Sequence, residues 1–128
     1  MKYYGQHEPP VDQILDELLP GNLIGYAADV GAADGVTDSN TYLFELLGWT
    51  VLCVEPNPSY LGKLAENRKL VVPAATSDHE SYERFDLFRM DGGWGAISGL
   101  RPDARLVEEY RDSIRDHWWI HVRVRKLD

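Results

Sequence analysis

The chain has 128 residues, of which 44% are hydrophobic and 27% charged, and it carries a formal net charge of −8. That length buries roughly two thirds of the surface an unfolded chain exposes, so one domain over 1–128 is expected. The acidic balance disfavours a nucleic-acid partner, and no apolar run approaches the roughly 20 residues of a membrane span.

MKYYGQHEPP lacks the apolar core and small-residue cleavage site of a secretory signal, so a cytoplasmic location is expected. PPVDQILDELLPG reads as a short amphipathic helix with Val11, Ile14, Leu15 and Leu18 on one face, prolines at its start and Pro20-Gly21 at its end. LIGYAADV reads as a strand buried on both faces, and it runs into DVGAADG. SNTYLFELLG then gives a helix, with Asp38 or Ser39 as N-cap and Gly48 as its terminator. WTVLCVEP is a second buried strand, whose Cys53, the only cysteine, reads as a buried thiol. Asn57-Pro58 opens a helix over PSYLGKLAENR with Tyr60 or Leu61, Leu64 and Ala65 inward, and KLVVPAA is a third strand. Two successive βαβ units predict a parallel sheet of order 3-2-1, one half of a doubly wound α/β fold.

Past Ser77 the pattern changes. YERFDLFRM alternates as a strand, DGGWGAISG is a glycine-rich loop holding Asp91, Trp94 and Ser98, and PDARLVEEYRDSI has helical spacing. WWIHVRVRKL alternates again, with Ile120, Val122 and Val124 on one side. The two strands are expected to extend the sheet beyond strand three.

DVGAADG is the segment most like a site. Gly31 and Gly35 allow positive φ or close approach to a ligand at the carboxyl end of a strand. A dinucleotide turn wants G-x-G-x-x-G, whereas this one lacks the middle glycine and puts Asp34 where a pyrophosphate would be repelled. A ligand bearing an ammonium and a sulfonium, as S-adenosylmethionine (SAM) does, would instead be attracted. Glu55 ends strand two about 20 residues on, where an acid can accept from both ribose hydroxyls. Ser77-Asp78, after strand three, could accept the adenine amino group, though a turn role is also open. Asp29 is expected to orient the turn or a water, and Ser39 and Asn40 to reach the ligand or to cap the helix.

Over residues 29–68 the linked motifs are D-V-G-A-x-D-G, S-N-T opening the helix, L-G-W before strand two, E-P-N-P after it and L-x-x-N-R closing the next helix. Together they resemble the SAM-binding half of FkbM-type methyltransferases, and YGQHEPPVDQIL resembles that family's Gly-Gln lead-in more loosely. The resemblance implies a Rossmann-like SAM-methyltransferase fold and methyl transfer to a hydroxyl of a small molecule or glycan. It implies Gly31, Ala32, Asp34 and Gly35 around the methionine part of SAM, Glu55 on the ribose, and Pro56 and Asn57 flanking the adenosine. The family continues into a further half holding strand four and most of the acceptor pocket, whereas this sequence stops at HVRVRKLD. The expected fold is therefore truncated, with the edge of strand one covered by a second copy or a partner chain. No spacing selects a general base among His7, His79, His117 and His121, or a metal site. A SAM-binding module, a partner-dependent subunit and a SAM-cleaving enzyme remain open as alternatives.

Overall fold

A computed structural model describes residues 1–94 and 98–128. It is a mixed α/β chain of two compact units, Met1–Pro73 and Ala74–Asp128. Among the described residues no helix is long and apolar enough to cross a membrane.

The first unit runs α1 (Val11–Leu18), β1 (Tyr26–Val30), α2 (Tyr42–Leu46), β2 (Thr50–Val54), α3 (Pro58–Asn67) and β3 (Leu70–Val72). Its strands form a parallel sheet in the order β1-β2-β3, the 3-2-1 order read from the two βαβ units. The register pairs Asp29 with Cys53 and Val30 with Val54, so β1 and β2 end level with each other. One face of the sheet is packed: Ala32, Val51, Cys53 and Leu64 are buried, with Ala27, Trp49, Leu61 and Val71 against them. Burial pushes the Cys53 thiol up to about 11, so it is un-ionised at neutral pH.

The other face differs from expectation. β1 is not buried on both sides but alternates, leaving Tyr26, Ala28 and Val30 exposed, Tyr26 by 86%. Leu52 and Leu70 extend this open face across β2 and β3. A continuous apolar run needs cover on both sides of the sheet, and here α2 and α3 follow parallel strands in succession, whose right-handed crossovers put both helices on the same side. The helix α1 likewise leaves Ile14, Leu15 and Leu18 exposed and buries Asp12.

Local capping follows the sequence in part. Ser39 Oγ accepts from the backbone N–H of Thr41 and Tyr42, at 3.2 and 3.0 Å, and so tethers the start of α2. The N-cap residue itself is Thr41, whose side chain makes no cap bond, rather than the expected Asp38 or Ser39; Asp38 lies at φ 56°. Gly48, at φ +100°, ends the helix as expected. Asn57 Oδ1 accepts from Ser59 N–H at 2.9 Å, and Pro58 opens α3. Leu64 is inward as expected, whereas Ala65 is exposed. Asn57→Ala should cost about 1 kcal/mol in a urea titration followed by circular dichroism, the usual worth of an N-cap.

The second unit contains β4 (Ala75–Thr76), β5 (Ser81–Met90), β6 (Gly93–Trp94), α4 (Ala104–Glu109), a 3₁₀ turn (Arg111–Ser113) and β7 (Ile114–Arg125). These strands do not extend the first sheet. They form a second one of order β4-β7-β5-β6, with β5 and β7 antiparallel and β4 parallel to β7. The expected third strand KLVVPAA is therefore divided: 70–72 pairs with β2, and 75–76 pairs with β7. Pro73 sits at the break, where a residue without an N–H cannot continue a ladder. Alternation correctly places Val122 and Val124 inward, with Phe85, Leu87 and Ala75, and Ile120 packs against them. The fourth helix is shorter than its spacing suggests, because Ile114 already belongs to β7. Within DGGWGAISG, residues 95–97 lie outside the described residues.

Candidate functional site

The segment after β1 turns sharply because three successive features allow it. Gly31 has φ +77°, Ala33 φ 50° and Gly35 φ +83°. The N–H groups of Gly31 and Ala32 donate to Val54 O at 2.8 and 3.2 Å, which ties the turn to the end of β2.

Glu55 closes this arrangement. Its Oε1 accepts from Ala33 N–H at 2.9 Å, and its Oε2 accepts from Asn57 N–H at 2.8 Å. The carboxylate thereby joins the turn after β1 to the turn after β2. It is only 6% exposed, and burial pushes its pKa up against the two N–H donors that favour the charged form. Each oxygen accepts one bond and keeps capacity for another.

Asp34 works locally. Its Oδ1 accepts from Val36 and Thr37 N–H at 2.9 and 2.8 Å, and its Oδ2 from the Thr37 hydroxyl at 2.7 Å. Partial burial opposes ionisation, but these bonds outweigh it and hold the carboxyl below its ordinary value. Toward a cationic ligand Asp34 is thus a fixed negative charge, with its lone pairs largely engaged in the turn.

The two glycines of the turn differ. A Cβ at Gly31 would meet no atom within 4 Å, so the surface beside it is open. A Cβ on Gly35 would lie 2.5 Å from Arg68 Cγ and 2.7 Å from Leu64 Cδ1. Gly31 leaves room for a ligand, and Gly35 lets α3 approach.

Arg68 anchors the underside. Its side chain has no exposed surface and is held by two acids: Glu45 Oε2 at 3.0 Å from Nε, and Asp29 Oδ2 at 3.7 Å from Nη1. Nη1 donates to Gly35 O at 2.9 Å, and Nη2 to Thr41 Oγ1 at 3.0 Å. The Thr41 hydroxyl in turn donates a short bond to Asp29, and the guanidinium lies 5.6 Å from the Tyr42 ring. Asn67 Nδ2 adds a bond to Asp34 O at 2.8 Å. Asp29, expected to orient the turn or a water, is held by Thr41 and by Arg68, whose Nη1 also donates to Gly35 O.

Asp29, Gly31, Ala32, Asp34, Gly35, Ser39, Asn40, Glu55, Pro56 and Asn57 all belong to the first unit. Asp29, Gly31, Ala32, Asp34, Gly35, Ser39, Glu55 and Asn57 are linked by the contacts above, Asn40 is exposed, and Pro56 is partly buried. Ser77 and Asp78 belong to the second unit, where Ser77 N–H donates to Arg125 O at 3.1 Å and Asp78 Oδ1 lies 2.7 Å from His79 Nδ1. There His117 Nε2 sits 2.8 Å from Asp86 Oδ1 and stacks on Phe88. Asp91 pairs with Arg115, and Ser98 Oγ accepts from Phe88 N–H at 3.0 Å. Sequence reasoning missed Arg68, Glu45, Thr41 and Asn67. The available signal was an acid inside the apolar run YLFELL and the Asn-Arg pair closing α3.

The residues present fit SAM in two respects. The carboxylate at the end of β2 can accept from a diol, and the open surface at Gly31 leaves room for an amino-acid moiety in the turn that also holds the fixed anion Asp34. Among the described residues no group of three or more His, Cys, Asp or Glu side chains could hold a metal ion. Comparison with family models, with curated proteins and with solved structures gave no match.

Proposed function

We propose that the chain is a SAM-dependent methyltransferase of FkbM type, built on a Rossmann-like fold, which methylates a hydroxyl of a small molecule or glycan. The observation that carries this reading is the placement of Glu55. It stands at the carboxyl end of β2, level with the end of β1, and holds the glycine turn by its Ala33 N–H. Ligands of open α/β sheets bind outside the carboxyl ends of the strands. The linked motifs over 29–68 supply the rest of the support.

In this reading Glu55 binds the ribose through the lone pairs its backbone contacts leave, and Gly31 gives the methionine part access to the turn. Asp34 orients that part by charge. When bound, SAM supplies a methyl group made electrophilic by its sulfonium. The edge of β1 and the open sheet face are proposed to be covered by a second copy or a partner chain, since such surfaces invite pairing.

A second reading, a SAM-binding module without transfer, draws on the histidine content. His7 is the only histidine of the first unit, so that unit offers little choice of general base.

Calorimetric titration should show SAM binding that Glu55→Ala weakens by about 1.5–3 kcal/mol, the worth of hydrogen bonds to a charged group. Failure of the unmutated chain to bind sinks both readings. Incubation with SAM and candidate acceptors separates them, since demethylated product formed only with acceptor requires transfer. The pH dependence is a further check. Protonation turns a Glu55 acceptor into a donor, and burial raises its pKa, so affinity should fall as pH drops from neutral toward mildly acidic values. Glu55→Gln should flatten that profile.

A further inference from the structure

The N-terminal arm that precedes α1 is fastened to it by a buried carboxylate. Asp12 is fully buried, with Oδ2 accepting from Tyr4 N–H at 2.7 Å and Oδ1 from Gly5 N–H at 3.0 Å and Gln13 N–H at 3.1 Å. Tyr3 adds a bond from its hydroxyl to Asp16, 3.1 Å, and the Tyr4 ring meets the Tyr42 ring edge-on at 4.8 Å. Gly5 forms a parallel bridge with Asp38. A Cβ on Gly5 would lie 2.9 Å from Asp12 Oδ1 and 3.2 Å from Asn40 Oδ1, so the arm is close-packed against the segment that follows the glycine turn.

None of residues 1–10 is buried, so the arm contributes no side chain to the core. A fully buried carboxylate is costly unless hydrogen-bonded, and here its bonds go largely to holding this arm. What the contact fixes is a position. From Gly5 the chain leaves the bridge in the same direction as Ser39 and Asn40, carrying two exposed side chains, Gln6 and His7, that have no partner among the described residues.

We propose that Gln6 and His7 form a wall of the ligand site that recognises the amino-acid end of SAM, with Asp12 as the positioning residue. This rests on the reading of the site as a SAM site. A glutamine amide both donates and accepts, which suits a group carrying an ammonium and a carboxylate together, and the imidazole adds a second donor. The nucleoside end is left to Glu55.

The test compares SAM with methylthioadenosine, a neutral thioether nucleoside that lacks the amino-acid end, in calorimetric titrations of the full chain. Gln6→Ala with His7→Ala alters only exposed side chains and should weaken SAM binding about five- to tenfold while leaving methylthioadenosine unchanged. Glu55→Ala should weaken both ligands. Asp12→Ala should reproduce the selective loss of SAM affinity and accelerate hydrogen exchange at Tyr4 and Gly5. An unchanged SAM affinity in the double variant, or an equal loss for both ligands, overturns the proposal while the SAM reading stands. Rapid exchange at Tyr4 and Gly5 in the unmutated chain overturns it too. Binding of neither ligand by the unmutated chain removes the SAM reading and this proposal with it.

Discussion

Gly35→Ala should destabilise the first unit by about 2–5 kcal/mol, read from urea titration by circular dichroism. Two costs add. A side chain at φ +83° carries the left-handed penalty of roughly 1–2 kcal/mol. The new methyl group would also fall 2.5 Å from Arg68 Cγ and 2.7 Å from Leu64 Cδ1, and overpacking of that kind typically costs about 1–3 kcal/mol. Neither neighbour can yield easily: Arg68 is pinned by two acids, and Leu64 is fully buried. Gly31→Ala is the control, because it carries only the roughly 1–2 kcal/mol conformational penalty, with open space around the methyl group. A loss at Gly35 no greater than that at Gly31 would refute the close approach of α3 to the turn.

Arg68→Met should cost about 3–5 kcal/mol, the usual result of removing one partner from a buried ion pair. The substitution keeps most of the volume but leaves Glu45 buried without its cation and takes the donors from Gly35 O and Thr41 Oγ1. Arg68→Lys should recover little, because one ammonium cannot span the positions that Nε, Nη1 and Nη2 reach together. Arg68→Met combined with Glu45→Gln should be less destabilised than Arg68→Met alone, since the stranded charge is then gone. A double variant as unstable as the sum of the two single variants would mean the pair is not coupled.

Local features were the legible ones. Helix and strand periods placed β1, β2, β5 and the apolar side of β7, and capping chemistry identified Asn57 and Gly48, whereas the N-cap of α2 is Thr41 and Ser39 only accepts from the N–H groups of Thr41 and Tyr42. The sequence also singled out Asp34, whose side-chain bonds stay within its own turn, and Glu55, announced as an acid at the end of an apolar strand although its bond to Ala33 is long-range. Illegible were contacts made across many residues. Nothing near Arg68 in sequence announces Asp29 or Gly35, and Asp12, one acid on an amphipathic helix, looks like a solvated residue until Tyr4 and Gly5 fold back onto it. The apolar content of LIGYAADV likewise cannot tell one covered face from two. The separation of the two sheets was hidden because KLVVPAA reads as one run, and only its pairing partners divide it.

That division has a consequence for the order in which the chain acquires structure. All three strands of the first sheet are complete by Val72, and each pairs with its predecessor or successor in sequence. Ala75, by contrast, waits for Val124. Such a pairing closes a long loop, an entropic cost that rises slowly with length and tends to delay folding. During synthesis the glycine turn and Glu55 can therefore meet while the partner strand of β4 is still untranslated, so the candidate site is assembled early and the second sheet last.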